Sequence, residues 1–100
     1  MLDTSKLEND KNLFKSVAQG TISLLDFDTL MLKDETKALE CGSHLNNFLD
    51  DNNLEDTSLT DSIFEDLNSF ATASVLTYKE VHNLCKSLYH NYEEFLEGVR

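Results

Sequence analysis

Two pairs of residues in this chain have the types and spacing of metal ligands. Cys41-Gly-Ser-His44 and His82-Asn-Leu-Cys85 each set a thiol and an imidazole three residues apart, which on a helix puts them on one face. Together they could supply the four sulfur and nitrogen ligands of a tetrahedral zinc site. Whether the pairs can meet depends on the path of the chain. In a bundle that turns near residues 53 and 76, antiparallel counting sets position 85 opposite 67, and 67 opposite about 40, so the two cysteines share a level. In a hairpin of two long helices, Cys41 instead faces about position 66, roughly 28 Å from Cys85 at 1.5 Å per residue. Both cysteines also fall on apolar seams, where a free thiol behaves as a small hydrophobe. Core packing is the reading adopted for Cys41 and Cys85, and no metal or other cofactor is expected.

Asp51-x-Asn53-x-Glu55 has the opening pattern of a calcium loop. The pattern then fails, because Asp56 stands where the sharp turn needs Gly and Ser62 where a bidentate Glu belongs. Asp61-Ser62-Ile63 resembles the phosphopantetheine attachment site of acyl carrier proteins, and that resemblance implies a prosthetic group on Ser62. It is confined to three residues, and the chain ahead of the serine is much longer than in that family. A serine near a helix start is the plainer reading. No histidine is placed to activate a nucleophile, there is no Gly-rich phosphate loop, and carboxylates are too frequent for any pair to stand out. No catalytic residue is expected.

The carboxylates matter as a group. The net charge is -11, and residues 38–78 hold eight acids with no Lys or Arg, against seven acids and five bases before them and four acids and three bases after. Asp50, Asp51, Glu55, Asp56, Asp61, Glu65 and Asp66 follow one another without a countercharge. Such a run is either a solubilising loop or a surface that meets a basic patch on a partner, and these seven are the candidate partner-binding residues. The same charge repels phosphate backbones, so direct binding to nucleic acid or an anionic membrane is disfavoured.

One hundred residues suit a single helical domain spanning residues 1–100. The hydrophobic fraction of 40% argues for a folded chain despite its charge. Proline is absent and glycine occurs only at Gly20, Gly42 and Gly98, too little turn punctuation for an all-β domain. No stretch approaches a membrane span, and two cysteines are too few to staple a small secreted scaffold, so the expected location is cytoplasmic.

Ser5-Lys6-Leu7-Glu8 reads as a capping box, followed by Leu7, Phe14, Val17 and Ala18 at helical spacing and ended by Gly20. A second helix is expected from Thr21 or Ser23 along Leu24, Phe27, Met31, Ala38, Cys41, Leu45 and Phe48, with Gly42 as a point where it could split. Residues 50–57 read as the main loop, with Thr57 or Ser58 capping the next helix. From Phe64 a 3-4 series runs through Leu67, Ala71, Ser74, Tyr78, Val81, Cys85, Leu88, Tyr92, Phe95 and Val99, crossed by a second capping box at Thr77-Tyr78-Lys79-Glu80.

The expected fold is all-α, a compact antiparallel bundle of about four helices that turns near Leu76. The alternative is a long two-helix coiled-coil hairpin with a short N-terminal helix, whose narrow seams would pair with a second copy as a homodimer. The expected function is non-enzymatic binding: a small acidic inhibitor, immunity or anti-defence protein that occludes a basic surface of a nucleic-acid-handling partner. The alternative is a secretion-system hairpin substrate or small secretion chaperone. The helix-loop-helix plan and Tyr89-x-x-x-Glu93 resemble the small hairpin substrates of type VII secretion, although the loop has no Trp-x-Gly.

Overall fold

Short polar motifs, not changes in hydrophobicity, set where the helices begin and end. A computed structural model describes residues 2–20, 35–72 and 77–99, and in it they form four α-helices: α1 (Ser5–Ala18), α2 (Glu35–Asp51), α3 (Ser58–Thr72) and α4 (Tyr78–Val99). The expected start of the second helix with Leu24, Phe27 and Met31, and the positions of Ser74 and Leu76, lie outside the described residues.

At α1 the expected capping box is replaced by an acid two residues earlier. Asp3 accepts hydrogen bonds from the Ser5 amide at 3.1 Å and the Ser5 hydroxyl at 2.7 Å, so Ser5 is the first helical residue and not the cap. An anionic acceptor is stronger than a hydroxyl, and it also suits the positive end of the helix dipole. Gly20, at φ +73°, ends α1 as expected.

Helix α2 runs through Gly42 without a break and continues to Asp51, two residues into the expected loop. It stops in a Schellman turn: Asn53 takes φ 53°, the Leu54 amide donates to the Leu49 carbonyl at 2.8 Å, and the Asn53 amide donates to Asp50 at 3.3 Å. Asn tolerates the left-handed conformation, and Leu54 packs back on the core, which is the apolar contact this motif uses.

Thr57 caps α3. Its hydroxyl accepts from the Thr60 amide at 3.3 Å, while the Thr60 hydroxyl accepts from the Thr57 amide at 2.8 Å, a reciprocal pair with Thr in the place usual for Glu. The capping box at α4 forms as expected, with the Glu80 amide donating to the Thr77 hydroxyl at 3.2 Å and the Thr77 amide to the Glu80 carboxylate at 3.3 Å.

One core joins the four helices. The broadest contact is α1 against α4, followed by α2 with α3 and α3 with α4, and α1 meets α2 along a narrower line. Phe14 of α1 sits at the centre, stacked on Phe70 of α3 at 6.5 Å and on Tyr92 of α4 at 5.9 Å. Phe48 and Phe95 meet edge to face at 5.8 Å. Each such ring contributes about 1.5–3 kcal/mol by leaving water.

The continuous 3-4 series from Phe64 misassigns α3 and the start of α4. The buried face of α3 is Thr60, Ile63, Leu67 and Phe70, whereas Phe64 and Ala71 lie at its margin and Tyr78 is exposed. A series counted across a helix break carries no phase, and α3 is turned to face α2 and α4 together. The hairpin alternative fails on length. A helix of about 40 residues would run about 60 Å, whereas the longest dimension of the molecule is 36 Å. The radius of gyration, 13.0 Å, is that of a compact chain of this size. Among the described residues no helix is long and apolar enough to cross a membrane.

Candidate functional site

The four zinc-type donors are not brought together. Cys41 and Cys85 are fully buried, His82 is exposed on α4, and His44 turns to α1. Among the described residues no three His, Cys, Asp or Glu side chains are placed to hold a metal ion. Burial pushes the Cys85 thiol up to about 12. Cys41 is pushed up further, first by burial and then by the carboxylate of Asp10 beside it. Both thiols therefore stay protonated near neutrality, which removes them as nucleophiles and disfavours them as ligands.

Cys41 and His44 converge instead on Asp10. Helix α1 buries Leu7, Asp10, Phe14 and Val17, so Asp10 occupies a core position and is only 4% exposed. Its Oδ2 lies 2.8 Å from His44 Nδ1, and because an ionised carboxylate only accepts, the imidazole N–H is the donor. The buried Cys41 thiol lies beside the same carboxyl. On the solvent side His44 Nε2 is 3.7 Å from Glu40, which also faces Lys37 at 3.9 Å. Tyr92 is fully buried near this cluster and its hydroxyl has no hydrogen-bond partner among the described residues. Burial, then the neighbouring Cys41 and Asp10, push its phenol well up. The cluster clips α1 to α2. Sequence reasoning missed Asp10, although its spacing from Leu7 and Phe14, three and four residues, places it within the apolar series.

The acidic residues divide by position. Asp50 and Asp51 lie in the last turn of α2, Glu55 and Asp56 in the connection, and Asp61 and Glu65 one turn apart on α3, and all six are exposed. Among the described residues none of the six takes part in an ion pair or side-chain hydrogen bond. Asp50 and Asp51 also face the negative end of the α2 dipole, where Lys or Arg would be favourable and none is present. Asp66 differs. It is partly buried and accepts a 2.8 Å hydrogen bond from the Ser87 hydroxyl of α4. Desolvation raises its carboxyl pKa, and the Ser87 bond opposes that shift.

Ser62 lies in the second turn of α3, its hydroxyl donating to the Ser58 carbonyl at 3.0 Å, and does not mark the helix start. Leu88, Tyr92 and Phe95, the seam that a secretion partner would need, are buried in this chain's own core. Tyr89 lies under Lys15, whose ammonium is 5.6 Å from the ring centre. Family models, curated protein sequences and solved structures, each compared with the chain, give no match.

Proposed function

We propose that the chain is a non-enzymatic binding protein, a small acidic inhibitor, immunity or anti-defence protein whose α2–α3 end covers a basic surface of a nucleic-acid-handling partner. The observation that carries this reading is the set of six exposed carboxylates at Asp50, Asp51, Glu55, Asp56, Asp61 and Glu65, which make no ion pair among the described residues. Two of them stand where the helix dipole opposes them, so the isolated protein holds a repulsion that a cationic partner relieves. Such a surface speeds encounter and weakens as salt rises.

The test is capture of partners from the native host by the intact chain and by a variant with Asp50, Asp51, Glu55 and Asp56 changed to Lys. A specific partner should be retained at low salt, released at high salt, and lost with the variant. A partner held equally by both proteins, or held regardless of salt, would remove the acidic end from the account.

A further inference from the structure

A groove of about 450 Å³ lies open between α2 and α3, with Ser43, Asn46 and Asn68 as the polar part of its lining. Ala38 and Leu67 are buried at its floor, Gly42, Phe64 and Ala71 form its sides, and Leu39 stands beside it 60% exposed. The opening follows from small residues on α2. A Cβ added at Gly42 would meet nothing within 4 Å. Helical spacing then continues the groove into the acids. Asp50 lies one turn beyond Asn46 on α2, Asp61 lies one turn before Phe64 on α3, and Glu65 follows beside it.

We infer that this groove receives an amphipathic, basic helix of a protein partner, with its apolar side against Ala38, Leu39, Phe64 and Ala71 and its Lys or Arg residues toward Asp50, Asp61 and Glu65. The inference rests on the acidic-surface reading and names the element of the partner that engages it. Charge complementarity selects the occupant: the floor needs aliphatic side chains while the unpaired carboxylates beside it need cations, and one helix can present both at 3-4 spacing. The distance along α2 from Ala38 to Asn46 is about 12 Å at 1.5 Å per residue, which accepts roughly two helical turns. Small residues at the contact allow two helix axes to approach closely. A second copy of this chain would set carboxylates against carboxylates, and nucleic acid is repelled for the same reason.

The test uses the full chain and fluorescently labelled peptides of about 18 residues, five helical turns: one of Leu and Lys with Leu at 3-4 spacing, one of Lys alone, and one of Leu and Glu. Fluorescence anisotropy should show the Leu/Lys helix binding at least about tenfold more tightly than the Lys peptide, as expected from burying even one Leu, and no binding of the Leu/Glu helix. Gly42→Leu fills the groove and should weaken the Leu/Lys helix by about tenfold while leaving the Lys peptide unchanged. Leu39→Ser alters only an exposed side chain, so it keeps the test valid if Gly42→Leu disturbs the fold, and it should weaken the same peptide selectively. Equal binding of the two cationic peptides, or indifference to both substitutions, overturns the groove and leaves the acidic surface standing. Failure of both cationic peptides to bind overturns the groove and the acidic-surface reading alike.

Discussion

Asp10 and Asp51 carry the same side chain in opposite settings. At the α1–α2 contact, Asp10 is buried and is met by His44 at 2.8 Å, with the Cys41 thiol nearby. Two turns further along the same α2, Asp51 is exposed, makes no ion pair among the described residues, and faces a helix terminus of its own sign. The first carboxylate is costly to bury and is paired with His44. The second costs stability and makes no ion pair among the described residues. Charge that serves the fold is paired inside it, and charge left unpaired is free to serve something else.

The sharpest way to break this contrast is at Asp10. Asp10→Ala leaves the His44 ring nitrogen without its partner in a nearly closed site, and should cost about 3 kcal/mol. Asp10→Asn keeps an acceptor oxygen and should cost clearly less. Urea unfolding of the three proteins reads the difference as a shift in midpoint at constant slope. If Asp10→Ala unfolds at the wild-type midpoint, the cluster is incidental to the fold.

The next effect tests whether the acidic end is a built structure or a loose one. Thr60 is fully buried, and its hydroxyl both accepts from the Thr57 amide and donates to the Thr57 carbonyl at 3.0 Å. Thr60→Val keeps the shape and removes both bonds, so it should cost about 1–2 kcal/mol. Hydrogen exchange should locate the loss at the start of α3. An unchanged exchange pattern there would show that the turn holding Glu55 and Asp56 is not fixed by this pair.

How much of this was legible in the sequence follows the range of each interaction. The caps at Thr77 and Thr57 and the end of α1 at Gly20 were readable because a cap depends on residues two to four positions away. The division between α3 and α4 was readable for the same reason, from the Thr77–Glu80 box. The phase of α3 was not, because Ile63 and Phe70 are buried by neighbours far along the chain, and a 3-4 count cannot see them. The Asp10–His44 pair joins residues 34 apart, and no local pattern predicts such a contact. The acidic residues were legible as composition, but their split into six with no ion pair among the described residues and one engaged with Ser87 needed the packing of α3 on α4.

Removing charge at the end of α2 should stabilise the protein. Asp50→Asn with Asp51→Asn keeps the size of both side chains and takes two negative charges away from the negative end of the dipole, a gain of about 1 kcal/mol together. Thermal unfolding at low salt should show it, and added salt should shrink it by screening the wild-type repulsion. Partner binding should fall as stability rises, the exchange expected where a surface is kept for function and not for folding. A double variant no more stable than the parent would mean that the acids hold no repulsion for a partner to relieve.

Asp66 decides where the boundary between the two kinds of carboxylate lies. Desolvation raises its pKa in the folded protein above the unfolded value of about 3.9. A raised folded value means that the protonated form is favoured by folding. The associated stability is complete below the unfolded pKa and is lost as pH rises through the folded one. Asp66→Asn keeps an acceptor for the Ser87 hydroxyl and cannot ionise, so at pH 7 it should be the more stable protein by a few tenths of a kcal/mol, a small effect because the group is only partly buried. The gap should close below about pH 3, where the wild-type carboxyl is protonated too. Urea midpoints at the two pH values measure both ends of the curve. If Asp66→Asn is instead less stable at pH 7, the charge-assisted bond to Ser87 outweighs desolvation, and Asp66 belongs with Asp10 as a carboxylate the fold uses.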